Sequence, residues 1–500
     1  MGNKEIYRKF FGIGFIIVLA ILIRIKYFIG FALGDDLHYF NLVQQILQGQ
    51  WVSYHYLNQY AYRPLLLLSV AGSFKLFGIN EIAFILPTFL ASIGSILVAY
   101  YLGKRLFNSQ VGIIAALALA AHPFCVYNSV TFDNDVIISF IMGLLVLIFI
   151  KARESEISKQ GRWYALAGFF LVVSYLFKMT SLAMIGVIGA FTFVEIVFYR
   201  KNFNQFWFYV SFALFFFIIL CFYKIETGEF LRHFYAERFY YEKYVPDFYP
   251  SGDFSVKAML LQYPQHMFGP LVFGKAKYFE FGLYFYFFIP ALVFLLWKNA
   301  NRAYSLLLLW WVVCLFSVLE FLPSNWDPYY LPIPRQERYL EIISIPIVIT
   351  IGWFLVWIAH RSKTVFILLF VLLISTALYN AHVRNTYVQD SIADLKHVSR
   401  WLCNQNVHEI YVDAPGFPHL IFFTQACKIK VRKFDEIHRR IPIEGAHIIS
   451  GGSRMYLWDT RHIRTVDEES IDFKLTKVLE YPEARTGTKK GPLTVFRYDG

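Results

Sequence analysis

The sequence predicts a mainly α-helical polytopic membrane protein with a small soluble α/β domain at its C-terminal end. Three observations predict it. The chain has 500 residues, of which 57% are hydrophobic and 16% charged. Its first three quarters are built of repeated apolar runs of about 18 residues or more, each long enough to cross a hydrocarbon core of ~30 Å. After residue 384 those runs shorten and charge rises, which divides the chain into a membrane part, 1–384, and a soluble part, 385–500. The net charge of +12 does not indicate a nucleic-acid partner, because the bases sit in short loops between apolar runs, as membrane orientation requires.

Eleven spans are expected, at about 11–33, 81–103, 111–129, 135–150, 163–178, 180–199, 206–224, 281–297, 303–321, 340–360 and 363–381. The first is long and leads into more spans, so it reads as a span and not as a cleaved signal peptide. Pro64–Gly78 is apolar but too short to cross alone, and reads as a re-entrant or surface element. Alternate loops carry Lys4, Arg8 and Lys9; Lys104 and Arg105; Lys151, Arg153, Lys159 and Arg162; Arg200 and Lys201; Lys298 and Arg302; and Arg361 and Lys363. This set belongs in the cytoplasm. The N-terminus is then inside. The loops Gly34–Pro64, Phe132–Asp135, Ile225–Glu280 and Leu322–Arg338, the turn at Lys178 and the C-terminal domain are outside the cytoplasmic membrane.

In the C-terminal part, Ser391–Asn404 reads as a helix. His408–Val412, Lys428–Phe434, Ala446–Ser450, Leu475–Tyr481 and Leu493–Tyr498 read as short strands. Five cysteines are too few for a disulfide scaffold. Cys125, Cys221 and Cys314 lie in or beside apolar runs and read as buried packing residues. Cys403 and Cys427 read as two free thiols, with a bond between them open to them outside the cytoplasm.

The functional signal lies in charges that face one side. The loop GDDLHYFNLVQQILQGQWVSYHYLNQYAYRP opens on Asp35 and Asp36. Phe40, Leu42, Val43, Ile46, Leu47 and Trp51 then follow near helical spacing, which predicts a short amphipathic helix along the membrane surface. Asp133 and Asp135 occupy the next loop on the same side. Acids held at a membrane rim are costly unless paired, ligated or functional. Two carboxylate sites with nearby bases suit glycosyl transfer: one carboxylate removes the acceptor's proton, and cations hold a phosphate leaving group. Arg63, Lys178, Arg335 and Arg338 are the cations on the correct side, and Lys178 sits where the chain turns between two spans in YLFKMTSLAMI.

His38, His55, Asp133 and Glu337 are candidate acceptor or supporting residues. His38 and His55 could ligate a metal with Asp35, but no zinc-type spacing supports it. Asp133-Asn134-Asp135 is a DxD string, too short to specify a metal; no cofactor is expected, and a divalent ion is open but not favoured. Arg24 and Lys26 interrupt the first run. They reach the headgroups, pair with an acid in the bundle, or mark a boundary. The aromatic loop HFYAERFYYEKYVPDFYP suits either sugar stacking or interfacial packing. SNWDPYYLPIPRQERY reads as a lid or a lipid-phosphate contact.

Together these stretches resemble the bacterial and archaeal polyprenyl-phosphate-sugar glycosyltransferases of the GT-C fold, which include the lipid A aminoarabinose transferases and the protein O-mannosyltransferases. The resemblance runs through ILIRIKYF with GDDLHYFNLVQQILQG, then YRPLLLLSVAGSFKLFGINEIAFILPTFLASIGSILVAYYLGKRLF, HPFCVYNSVTFDNDVIISF, and YLFKMTSLAM with QERYLEIISIPIVI. It covers roughly 10–380. Asp36 replaces the family's usual Glu, and Arg63 replaces the first of two prolines. The resemblance implies a sugar donor on a polyprenyl phosphate, transferred with inversion at the outer membrane face to a lipid, glycan or protein acceptor. It implies Asp35 as general base or acceptor-positioning acid, Asp135 as its support, and Lys178 and Arg338 on the lipid phosphate. It also implies no metal where the donor carries one phosphate. The rival readings are a transporter or flippase of a lipid-linked sugar, a non-catalytic scaffold, and an oligosaccharyltransferase or polymerase with a pyrophosphate donor. A transporter should place its charges near the midplane between repeated halves. Here they cluster at one face.

Overall fold

The computed structural model describes residues 3–32, 34–199, 203–248, 262–269, 280–298, 302–325, 331–332, 336–405, 409–412, 417–433, 447–450, 475–481 and 493–498. It is mainly helical. In chain order the helices are α1 (Asn3–Lys26), α2 (Gly34–Leu47), α3 (Pro64–Phe77), α4 (Glu81–Leu106), α5 (Ser109–Ala121), α6 (Pro123–Val130), α7 (Asn134–Glu154), α8 (Ile157–Tyr175) and α9 (Met184–Tyr199). There follow α10 (Phe206–Thr227), α11 (Arg232–Phe248), α12 (Tyr284–Lys298), α13 (Arg302–Phe321), α14 (Ser344–Ala359), α15 (Lys363–Asn404) and α16 (Phe417–Thr424).

Every expected span overlaps helix, but the first stops at Lys26 and not at 33, and among the described residues seven helices, not eleven, are long and apolar enough to cross a membrane. An eighth crossing results if α5 and α6 count as one span bent by 56°. The bend falls at His122-Pro123, where proline ends one helix and opens the next. Polar caps start several of the helices: Asn80 accepts the Ala83 N–H on α4, Asn108 the Val111 N–H on α5, and Ser362 the Val365 N–H on α15. The turn between α4 and α5 brings the helices so close that a Cβ on Gly103 would lie 3.0 Å from the Gly112 Cα, the small-residue contact typical of packing in lipid.

Three expectations need correction. The amphipathic helix begins at Gly34, not near Phe40, so Asp35, Asp36 and His38 lie on it. It does not lie along a surface: Phe40, Val43 and Tyr39 pack in an apolar core with Phe31, Phe84 and Phe132. Second, the last span and the helix Ser391–Asn404 are one helix of 42 residues, α15. No Gly or Pro occurs between Lys363 and Asn404 to stop it, and it runs through the expected boundary at 384. Third, Cys403 and Cys427 are bonded, with Cα atoms 5.5 Å apart. The bond joins the end of α15 to the turn after α16. Cys125 is buried as expected, whereas Cys221 and Cys314 are only partly so.

Beyond α15 the described strands are β1 (Glu409–Val412), β2 (Lys430–Lys433), β3 (His447–Ser450), β4 (Leu475–Tyr481) and β5 (Leu493–Tyr498). They form one mixed sheet in the order β2-β1-β3-β5-β4. β1 is parallel to β2 and to β3, with Tyr411 opposite Arg432 and Ile448, while β5 pairs antiparallel with β3 and β4. The β1–α16–β2 crossover turns α16 toward the membrane part. There Phe422 stacks on Phe31 at 4.3 Å between ring centroids and meets Phe40 at 5.0 Å. Lys396 of α15 bonds Glu81 at 2.7 Å and the Ile29 carbonyl at 2.6 Å. Gly30 has a φ of +84°, and a Cβ there would lie 2.2 Å from the Glu81 carboxylate, so only glycine fits. The soluble part thus buttresses residues 27–32, the approach to Asp35.

The basic residues of the N-terminal loops gather at the opposite end. Arg105 bonds Glu154 at 2.7 Å, Arg153 bonds Glu195 at 2.5 Å, and the Tyr304 hydroxyl donates to Glu154 at 2.9 Å.

Phe422 is buried among rings, so Phe422→Ala should cost about 3–5 kcal/mol. Thermal unfolding of the purified protein should show a midpoint lowered by several degrees, with Phe422→Leu between the two. An unchanged midpoint would mean that α16 does not dock.

Candidate active site

The apolar chain leaves its charged side chains few places to go, and at one end of the bundle they meet. α7 starts in the sequence Asp133-Asn134-Asp135. Asp133 is the N-cap: its Oδ1 accepts the Asp135 N–H at 2.8 Å. The cap leaves Asp135 in the first turn, where its Oδ1 accepts the Lys178 ammonium at 2.6 Å. Lys178 follows α8 and precedes a 3-10 turn, Met179–Ala183, so it lies at the turn between spans that the sequence indicates. Its ammonium is 4.4 Å from the centre of the Tyr339 ring.

Arg338 comes from a second 3-10 turn, Glu337–Ile343, ahead of α14. It links the two acidic loops. Its guanidinium donates to Asp35 Oδ2 at 3.2 Å and lies 3.7 Å from Asp133 Oδ2. Asp35 also accepts the Tyr60 hydroxyl at 2.8 Å. Arg63 caps α3, donates to the Tyr39 hydroxyl, and bonds Glu237 of α11 at 3.3 Å. It stands 5.7 Å from the centre of the Tyr60 ring. Glu237 is further backed by His233, whose Nδ1 meets the Tyr175 hydroxyl at 2.7 Å.

Burial by itself would raise the Asp35 carboxyl, but Arg338 and the Tyr60 hydroxyl outweigh it and hold it below the ordinary carboxylate value. Asp35 retains 35% of its side-chain surface open, so it is an ionised acid that a ligand can reach. Asp133 has no such opening. Burial and the adjacent Asp135 push it up to about 7 against the pull of Arg338 and Lys178. Burial lowers Lys178, Asp135 opposes this, and Arg63 and Arg338 add to the lowering, so it falls below 10.5. Glu237 is held below its ordinary value by His233 and Arg63, despite its burial.

The site is incomplete in one respect. Among the described residues, the Nε–H groups of Arg63 and Arg338 are buried without a hydrogen-bond partner, as are Oδ2 of Asp133 and Oδ2 of Asp135. Such groups are rare unless a ligand or water completes them.

The structure therefore brings together Asp35, Asp133, Asp135, Lys178, Arg63 and Arg338. Asp36 is fully buried and accepts the Ala32 N–H at 2.9 Å, a bond that fixes the chain entering α2. His38 lies at the edge, exposed and stacked on Tyr60 at 4.7 Å. His55 is exposed elsewhere, its carbonyl bonded by Arg232. Glu337 pairs with Arg384 at 3.0 Å, on the side of its turn away from this cluster. Arg335 lies outside the described residues, as do parts of the two aromatic loops. Arg24 and Lys26 stand in the last turn of α1 and so mark a boundary, which the expected span 11–33 overran; Arg24 does not reach the headgroups but is buried, with bonds to Ser92 and to the Ala20 and Ala120 carbonyls. Sequence reasoning missed Tyr39, Tyr60, Tyr339, His233 and Glu237. For the last two a signal existed, since His233 and Glu237 stand four apart on one helix face.

The sole trio of His, Cys, Asp or Glu ligand atoms within 4.8 Å of one another, among the described residues, is His266, Glu280 and Glu337. Asp35, Asp133 and Asp135 do not converge in that way, and neither do His38 and His55 with Asp35.

Solved structures share this arrangement of helices. ArnT from Cupriavidus metallidurans, bound to undecaprenyl phosphate, matches with a TM-score of 0.56 over 96% of this chain and 97% of its own, at 13% identity. The chain has the GT-C fold, that of a superfamily of membrane glycosyltransferases. The Archaeoglobus fulgidus oligosaccharyltransferase, in complex with Zn and sulfate, matches with a TM-score of 0.55 at 14% identity, over 84% of this chain and 62% of its own. The family model of dolichyl-phosphate-mannose-protein mannosyltransferases matches residues 63–223. The oligosaccharyltransferase subunit STT3B of Arabidopsis thaliana is 33% identical over 101 residues, 19% of this chain and 13% of the plant protein. The chain thus spans 62% of the archaeal oligosaccharyltransferase in that complex, 13% of STT3B and nearly all of ArnT.

Asp133 supports a pH prediction. A carboxyl raised from 3.8 to about 7 binds more protons folded than unfolded, so stability falls as pH rises across that window and levels off above it. Asp133→Asn keeps the capping oxygen and removes the charge. It should raise the unfolding midpoint at pH 8 by several degrees and change it little at pH 4. An equal shift at both values would contradict the raised carboxyl.

Proposed function

We propose that this GT-C protein transfers a sugar from a polyprenyl monophosphate to a lipid, glycan or protein acceptor, with inversion, at the outer face of the cytoplasmic membrane. The observation that carries this reading is the buried Nε–H of Arg338, without a hydrogen-bond partner among the described residues while its other nitrogens face Asp35 and Asp133. An anionic oxygen is the ligand that such a donor lacks.

In this reading Asp35 accepts the proton of the acceptor's hydroxyl or amine as that atom attacks the anomeric carbon. The bond from this carbon to the phosphate oxygen breaks, and the electron pair leaves with the polyprenyl phosphate. Arg338 and Lys178 hold the charge that develops there, and Arg63 extends the cationic surface. Asp135 holds Lys178 in place, and Asp133 holds the start of α7 and draws on Arg338. Tyr339, half-buried beside Lys178 and Arg338, offers a ring face for the sugar. Cations that already meet the acids, and acids that do not converge on one point, favour a donor phosphate gripped by side chains over one bridged by a metal.

The orientation follows from charge. The basic loops form one end, which the Lys and Arg rule places in the cytoplasm, so the site and the C-terminal domain lie outside. A pyrophosphate donor, as in an oligosaccharyltransferase, is the second reading, favoured by the similarity to STT3B. A transporter fits less well, because the charged cluster lies at one end of the helices.

The test is a mass-spectrometric transfer assay with purified protein, a panel of polyprenyl-monophosphate sugars, pyrophosphate-linked glycans and envelope extract. A monophosphate donor should be consumed, and Asp35→Ala should slow transfer by ~10²-fold or more. Lys178→Ala should raise the KM for donor and leave the KM for acceptor near its starting value. Turnover of pyrophosphate donors alone would replace this reading with the second.

A further inference from the structure

Behind the turn that carries Arg338 lies a second polar cluster, which the transfer reaction does not use. His266 stands on the short helix at 262–269, Glu280 precedes α12, and Glu337 opens the 3-10 turn. His266 Nδ1 is 2.8 Å from Glu280 Oε2, and one ligand atom from each of the three residues lies within 4.8 Å of the other two. We propose that His266, Glu280 and Glu337 bind one divalent transition-metal ion, Zn²⁺ before others, which staples three separate chain segments behind Arg338.

The donor set selects the ion. One imidazole nitrogen and two carboxylate oxygens suit Zn²⁺, which takes mixed nitrogen and oxygen ligands in a tetrahedron and fills a fourth place with water. Mg²⁺ and Ca²⁺ prefer oxygen alone, and no cysteine is in the trio to favour a softer ion. The geometry is close to what is needed. Bonds of ~2.0–2.1 Å in a tetrahedron set the ligand atoms roughly 3.3 Å apart, so the His266–Glu280 pair must open by only about half an ångström. The cluster is also reachable: His266 and Glu337 keep 24% and 27% of their side-chain surface open, which leaves room for an ion to enter and a water to complete it.

Arg384 is the competing cation. It lies 3.0 Å from Glu337 Oε1 and 3.8 Å from Glu280 Oε1, with its guanidinium held 4.4 Å from the Phe124 ring centre and 4.3 Å from that of Tyr127. It bonds Glu337 Oε1 and stands near Glu280 Oε1, while Glu280 Oε2 and the imidazole face each other, open to the ion. Arg384 then becomes a neighbour that orients the two ligating carboxylates. The ion lies outside the reacting centre. It acts by fixing Glu337, and with it the adjacent Arg338.

The test uses the full-length protein in detergent, stripped with chelator and dialysed against ZnCl₂. Elemental analysis should find about one Zn per chain. Zn-edge X-ray absorption of the unmutated protein should show one imidazole with oxygen ligands. His266→Ala, His266→Gln and Glu280→Gln should each weaken Zn²⁺ binding by about tenfold or more, whereas Asp135→Asn should leave it unchanged. No bound metal, a spectrum with no imidazole or with several, or binding that survives both His266 variants would overturn the site. Loss of Zn in Asp135→Asn with retention in the His266 variants would overturn it too, by moving the ion to the transfer site. The absorption spectrum needs no variant, so a misfolded variant does not decide the matter.

Discussion

Buried carboxylates need counter-charges, and the start of α7 places two of them, Asp133 and Asp135, almost wholly inside the protein. Removing one partner from such a group is far more costly than the pair's net worth, so the surrounding chain is committed to supplying cations. Lys178 is delivered by breaking the chain between α8 and α9 into a 3-10 turn, and Arg338 by doing the same before α14. Each of these turns gives up regular helix hydrogen bonding within an apolar stretch, and the gain is a cation at a fixed height. Arg338 then ties the acids of α7 to Asp35 of α2, so the two acidic loops are one electrostatic unit.

A second layer holds the cations. Arg63 is fixed by Tyr39 and Glu237, and Glu237 by His233 and Tyr175. Arg338 is flanked by Glu337, which belongs to the network of Glu280, Arg384 and His266. The same short turn therefore faces the charged site with one residue and the proposed ion site with its neighbour. Aromatic rings fill the space between: the Tyr60 hydroxyl donates to Asp35, and the Tyr39 hydroxyl accepts from Arg63. A rigid cluster of this kind can face a developing charge without rearranging, which is how preorganised sites lower a barrier.

Much of the site was legible because charge is conspicuous in an apolar chain. Asp35, Asp133, Asp135, Lys178, Arg63 and Arg338 each interrupt or border a hydrophobic run, and all six meet. Asp36, His38, His55 and Glu337 were just as conspicuous but serve the chain entering α2, the edge of the site, the surface and a second cluster. Adjacency in sequence does not fix the direction of a side chain. Tyrosine was silent for the opposite reason: among 34 of them, nothing marks Tyr60. The strands of the soluble part were legible from alternation to within two residues at each end. The Cys403–Cys427 bond was not, because it depends on where α16 folds back. The merging of the last span with the following helix was legible in principle, since nothing in 363–404 breaks a helix, but polarity changes midway and drew a boundary where the backbone has none.

The docking of α16 has a consequence for how the protein is made. Residues 27–32 leave the ribosome several hundred residues before Lys396 and Phe422, which wall them in. Arg338, the partner of Asp35, also arrives about 300 residues after it. Until then the first acidic loop has neither its counter-ion nor its outer wall. The protein cannot acquire a working site helix by helix as it enters the bilayer; an early stretch of the chain waits for stretches made hundreds of residues later.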